Sequence, residues 1–166
     1  FFDDDIYPDI FVAMVVGTFP NYGATEFFVF SGLDGAILTQ ITLSLGAYAS
    51  PLAVDLNGDG RDEVLLSVTD FSDMGGGAIY LVEPGQSEPR EVYAYDGGSF
   101  STPLISDLDK DGLLDIVTAT WRQKGSTSFK AEIQRLTLNA SADHPVSWGS
   151  YLGNEGTGIA HLANPF

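Results

Sequence analysis

The chain has 166 residues, with 7 Lys plus Arg against 23 Asp plus Glu, giving a formal charge of −16 and a sequence pI near 4.1. Such a surface repels nucleic-acid phosphates and anionic lipid, which excludes partners held by bulk positive charge. A hydrophobic fraction of 44% with 12% aromatic residues is too apolar for a disordered acidic tail, so the chain folds around a core. Cysteine is absent, which removes disulfides, thiolate metal sites and Cys nucleophiles and leaves the compartment unread. No apolar run approaches the ~18 residues of a membrane span. The opening Phe1-Phe2-Asp3-Asp4-Asp5 has neither an initiator Met nor a basic leader region, and reads as a cut or processed end.

In chain order, short runs rich in β-branched and aromatic residues alternate with Gly, Pro, Asn and Asp turns, and helical signals are nearly absent. Strands are predicted at residues 9–16, 25–30 and 36–43, then at 47–54, 63–69, 78–83 and 91–95. A further set follows at 100–106, 115–121, 129–138 and 146–152, with a last strand at 157–162.

These sets repeat. Ser50-Pro51-Leu52-Ala53-Val54-Asp55-Leu56-Asn57-Gly58-Asp59-Gly60-Arg61-Asp62-Glu63-Val64 aligns without a gap on residues 102–116, Thr102-Pro103 through Asp115-Ile116, at an offset of 52. A third, damaged copy opens the chain, with Asp9 standing 54 residues before Glu63. The repeat units are 1–46 (incomplete, lacking a first strand), 47–98 and 99–153, with 154–166 as the first strand of a following unit. Four antiparallel strands recurring at about 50 residues predict an all-β chain of β-propeller blades, about three in number. A propeller needs typically ~4 to 8 blades, so the segment is expected to be part of a larger propeller. Runs such as Val64-Leu65-Leu66, apolar without alternation, suit strands covered on both faces. Pro51 and Pro103 suit strand starts at an unpaired edge.

Between the first and second strands of the two full units lies an acidic loop. Asp55-x-Asn57-x-Asp59-Gly60-Arg61-x-Glu63 and Asp107-x-Asp109-x-Asp111-Gly112-Leu113-x-Asp115 put oxygen side chains at positions 1, 3, 5 and 9. Alternate residues of a tight turn aim their oxygens at one centre, and Gly at position 6 permits the bend. The carbonyls of Arg61 and Leu113 at position 7 are the expected backbone ligands. An all-oxygen set in a flexible ring favours Ca2+ over magnesium and zinc. Position 12 holds Leu66 and Thr118 rather than Glu, and strands flank the loops, so an EF-hand is excluded. The N-terminal copy keeps Asp3, Asp5, Tyr7 and Asp9 at positions 3, 5, 7 and 9 but has Phe1 at position 1, so two full cation sites and a third degenerate one are expected.

SPLAVDLNGDGRDEVLLSV and STPLISDLDKDGLLDIVTAT resemble FG-GAP/VCBS-type repeats, the calcium-loop blades of integrin-α-like β-propellers. The resemblance spans nearly the whole chain. It implies an extracellular or cell-surface setting with millimolar calcium, and cages between the first and second strands of each blade. It specifies no ligand, since the family includes adhesion receptors, secreted binding modules and appendages of carbohydrate-active enzymes.

Other features carry less. His144 and His161 have no nucleophilic set around them and are expected to be packed or solvated. The acidic pairs that could serve glycoside hydrolysis are absorbed by the loops. Gly75-Gly76-Gly77 is expected to form an inter-strand loop, and Asn139-Ala140-Ser141 a sequon on a hairpin turn. Trp121, Trp148, Tyr93 and Tyr95 are expected to fill space between blades rather than stack a sugar. The expected function is a non-enzymatic, calcium-stabilised extracellular module for adhesion, meeting a protein or glycan ligand through propeller loops. Its other partners are the remaining blades of a larger chain or neighbouring subunits. The alternatives are a structural part of a surface filament or scaffold, and an accessory propeller of a carbohydrate-active enzyme.

Overall fold

The structure is a computed structural model that describes residues 1–18, 21–70, 76–124 and 128–150. Eleven strands and no helix occur among the described residues: β1 (Ile10–Thr18), β2 (Asn21–Phe30), β3 (Ile37–Leu43), β4 (Leu52–Val54), β5 (Glu63–Asp70), β6 (Gly76–Val82), β7 (Arg90–Asp96), β8 (Leu104–Ser106), β9 (Leu113–Lys124), β10 (Ser128–Ser141) and β11 (Val146–Trp148). They form three antiparallel sheets, ordered β1-β2-β3, β11-β4-β5-β6-β7 and β10-β9-β8. The strand expected at 157–162, His161 and the unit 154–166 lie outside the described residues.

Strand-to-face assignment follows from the side-chain period of two. In β5, Val64, Leu66 and Val68 join Phe27 and Val29 of β2 and Ile41 and Leu43 of β3 in one core. Leu65, from the opposite face of β5, joins Ile79 and Leu81 of β6 and Ile105, Leu114 and Ile116 of the third sheet in a second core. The middle sheet is therefore covered on both sides, which is why residues 64–66 show no polar alternation. Each fully buried Val or Leu there contributes roughly 1.5–3 kcal/mol of transfer free energy. The two outer sheets bury one face only. Ile10, Met14 and Val16 of β1 stand exposed, as do Phe129 and Ile133 of β10, the last at 80%.

Equivalent backbone bridges mark the repeat. Gly46 and Thr69 exchange N–H···O bonds of 3.0 and 2.8 Å, and Gly98 and Trp121, each 52 residues on, exchange bonds of 2.8 and 2.9 Å.

Four local readings change in the fold. Residues 146–152 were expected as the outer strand of the third sheet, but β11 pairs with β4 of the middle sheet, Val146 opposite Val54. A tight turn, in which the His144 amide donates to the Ser141 carbonyl at 3.2 Å, sends the chain back toward β4. There it covers a sheet edge that would otherwise leave N–H and C=O groups unpaired. The first strands expected at 47–54 and 100–106 shorten to β4 and β8. Gly76 and Gly77 are not loop residues but begin β6. A Cβ on Gly77 would lie 2.7 Å from the Val68 carbonyl oxygen and against the Tyr95 ring. The sequon residue Asn139 is exposed within β10, and the turn begins after Ser141.

Candidate metal centre

The loops between β4 and β5 and between β8 and β9 share most of their hydrogen bonds and differ at the position 5 amide, which donates to Asn57 Oδ1 at 2.8 Å in the first and to Asp107 Oδ1 at 3.2 Å in the second. In the first, Asp55 at position 1 accepts from the amides of Gly58 at 2.6 Å and Gly60 at 2.9 Å. In the second, Asp107 accepts from Lys110 at 2.7 Å and Gly112 at 3.1 Å. The position 9 carboxylate accepts from the residue at position 2, Glu63 from Leu56 at 2.7 Å and Asp115 from Leu108 at 3.1 Å. Position 5 accepts from position 7, Asp59 from the Arg61 amide and Asp111 from the Leu113 amide, both at 2.9 Å.

Left-handed backbone occurs at positions 4 and 6 of both loops, with φ of 80° at Gly58, 88° at Gly60 and 87° at Gly112. Position 4 of the second loop is Lys110, at φ 63°. The motif signals Gly at position 6; the left-handed residue at position 4 leaves no such signal, because Lys fills it in one copy.

The N-terminal copy repeats part of this network. Phe2 donates to Asp9 at 2.6 Å, Asp5 to Asp3 at 2.9 Å and Tyr7 to Asp5 at 2.7 Å. Phe1 brings no carboxylate to accept from residues 4 and 6, which is the physical content of the missing position 1 acid.

The expected ligands gather unequally. One carboxylate oxygen from each of Asp107, Asp109 and Asp115 lies within 4.8 Å of the others, and among the described residues no other acidic trio is this close. Asp111 stays outside the trio and is exposed. In the β4–β5 loop, Asn57 Nδ2 donates to Glu63 Oε1 at 2.9 Å and to Asp59 Oδ2 at 3.2 Å. Its Oδ1 meanwhile accepts from the Asp59 amide at 2.8 Å, and a cation bound among these oxygens would favour the flipped amide, with Oδ1 facing the carboxylates.

Arg135 of β10, which sequence reasoning missed, reaches the second loop. Its Nη2 lies 2.5 Å from Asp109 Oδ2 and 2.8 Å from Asp115 Oδ2. Both loops thus place N–H donors among their acids, the Asn57 amide with the Arg61 guanidinium on Asp59 in one and the Arg135 guanidinium in the other. The donor chemistry fits a hard cation such as calcium, which sequence spacing implied. The only available signal for Arg135 was a basic residue on the strand expected at 129–138; its cross-strand register, Arg135 opposite Val117, could not be counted across the intervening connection.

Environment separates the two position 9 acids. Glu63 is 1% exposed, and burial pushes its carboxyl up, against the pull of the Leu56 amide. Asp115 is 0% exposed, yet Arg135 holds its carboxyl below the ordinary range, with Thr137 Oγ1 donating at 2.8 Å. At position 5, the Arg61 amide and then its guanidinium hold Asp59 low.

Residues 142–149 pass both loops. The Ala142 amide donates to the Gly112 carbonyl at 2.9 Å, the Asp55 amide to Pro145 at 3.0 Å, and Ser147 Oγ to Asp62 Oδ1 at 2.8 Å. A Cβ on Gly58 would sit 2.9 Å from His144 Nε2, so His144 packs on the first loop.

The aromatic residues do not form one sugar platform. Tyr95 is buried and donates to the Val68 carbonyl at 3.0 Å, and Tyr93 donates to Gln134 Oε1 at 3.0 Å. Trp121 stacks on Phe100 at 5.7 Å and meets Phe129 edge-on at 5.6 Å, with Tyr48 edge-on to Phe100 at 5.6 Å. This cluster sits at the strand ends away from the acidic loops.

Comparison with protein-family models, with curated proteins and with solved structures returned no significant match.

Proposed function

We propose that the chain is a run of calcium-stabilised β-propeller blades of FG-GAP/VCBS type, serving as a non-catalytic extracellular binding or adhesion module. The observation that carries this reading is the recurrence of one loop, with the position 1 and position 9 acids accepting equivalent amide bonds 52 residues apart, around acids that converge on a donor group. Asp55, Asn57, Asp59 and Glu63 hold one ion, with the Arg61 carbonyl. Asp107, Asp109, Asp111 and Asp115 hold the other, with the Leu113 carbonyl. Asp3, Asp5, Asp9 and the Tyr7 carbonyl form a weaker third site. Bound calcium would supply the positive charge that Arg135 otherwise brings to the β8–β9 cluster and Arg61 to the edge of the β4–β5 cluster. The exposed rings of Tyr48, Phe100 and Phe129 around Trp121 support a ligand-binding surface at the opposite strand ends.

The exposed apolar outer faces of the two end sheets favour continuation into neighbouring blades, from the same longer chain or from other subunits. This also supports the second reading, a structural element of a surface filament or scaffold.

Thermal unfolding in millimolar calcium and in chelator tests the metal reading. Two ions, each at about tenfold above its dissociation constant, should raise the melting temperature by roughly 5–10 °C. Equal melting temperatures would exclude calcium as a stabilising ligand.

A further inference from the structure

We infer that Arg135 is a tethered counter-cation of the β8–β9 loop, which competes with calcium there and makes the two metal loops unequal in affinity. The inference rests on the calcium reading of the loops and adds a regulator to one of them. Its basis is geometric. One guanidinium nitrogen touches the position 3 and position 9 acids together, at 2.5 Å from Asp109 and 2.8 Å from Asp115.

Three further observations give the contact its meaning. Asp115 has no solvent exposure, so its charge is balanced by protein groups rather than by water. Those groups are Arg135, the Thr137 hydroxyl and the Leu108 amide, of which only Arg135 is charged. In the other loop the corresponding donor to the position 9 acid is the neutral Asn57 amide, which carries an oxygen of its own, now accepting from the Asp59 amide at 2.8 Å, and the arginine of that loop, Arg61, touches only the exposed position 5 acid Asp59 at 3.1 Å. A guanidinium carries no acceptor and cannot become a ligand. Calcium entering the second loop has to displace it.

The consequence is a population effect. Only the fraction of molecules with Arg135 withdrawn has a free position 3 and position 9 pair, and the apparent affinity falls by that fraction. Without metal, the same contact keeps the second loop neutralised and folded. The β4–β5 loop is then the stronger calcium site, and the β8–β9 loop fills at higher calcium.

Calcium alone serves as the probe, by isothermal titration, with melting in chelator as a second readout. At the two full loops, wild type should bind in two steps of different affinity, ahead of the N-terminal site. Arg135→Gln should tighten the weaker step by about tenfold, within the ~5- to 150-fold span of ordinary site coupling, and lower the melting temperature in chelator. Arg135→Lys, which keeps the charge but loses the planar fork, should fall between and guards against a Gln variant that fails to fold. Asp107→Asn should remove the weaker step and leave the stronger. Two steps unchanged in Arg135→Gln and Arg135→Lys would overturn the inference while leaving the calcium reading intact. No binding in wild type or either variant would overturn the calcium reading, and the inference with it.

Discussion

The loops at residues 55–63 and 107–115 share a backbone course and differ in how each balances its charge. The first relies on neutral donors and on an arginine within the loop: Asn57 bridges Glu63 and Asp59, and Arg61 pairs with Asp59 at 3.1 Å. The second draws on an arginine from a neighbouring strand. A loop closed by its own residues carries its electrostatics wherever the motif goes, whereas a loop closed by Arg135 depends on the register of β9 and β10. Near-identical motifs therefore do not imply equal sites.

The largest single loss is expected at a position 1 acid. Asp55 is buried and holds two amides, so Asp55→Ala in chelator should cost about 1–3 kcal/mol from lost charged hydrogen bonds. Asp107 is more exposed, and water replaces it more readily, so Asp107→Ala should cost roughly 1 kcal/mol. Chemical denaturation of both variants measures this, and equal losses would erase the difference in burial as its cause.

The position 9 acids should respond to pH with opposite sign. Glu63 has a folded-state pKa raised above its ordinary 4.5, so as pH rises through that raised value its ionisation in a buried site removes stability. Asp115 has a pKa lowered from 3.8, so its contribution is present above that value and is lost as pH falls through the lowered one. In chelator at neutral pH, Glu63→Gln should raise the melting temperature and Asp115→Asn should lower it. Both differences should shrink in acid. Shifts of the same sign at neutral pH would break the contrast.

The smallest effect is expected at Lys110, one of the two position 4 residues. Gly58→Ala adds a Cβ at φ 80° and 2.9 Å from His144 Nε2, and should cost about 1–2 kcal/mol. Lys110→Gly relieves a left-handed lysine at φ 63° but adds unfolded-state entropy, for a net gain of at most about 1 kcal/mol. Comparing the two by denaturation sharpens the loop comparison, and a destabilised Lys110→Gly would mean that its side chain supports the loop.

Much of this was legible in the residues. The strand runs, the 52-residue offset and the acids at positions 1, 3, 5 and 9 are local patterns, since strand period and turn chemistry act over a few neighbours. The acidic loops appear between the first and second strands of the two full units, where the motif put them. Sequence reading went astray where the outcome depended on distant partners. Gly76 and Gly77 read as loop because glycine marks turns, yet Tyr95 lying across β6 requires the missing side chain. Asn139 read as a turn residue because β10 runs three residues further than its apolar pattern.

An all-β chain with a recurring strand pattern and acidic turns is legible from the residues alone, because those properties are written in short-range spacing. Long-range packing is what brings β11 to the edge of β4, His144 onto Gly58 and Arg135 into the Asp109–Asp115 pair. Each of these joins residues dozens of positions apart or across a strand register, and register is set by which faces bury together rather than by any local pattern.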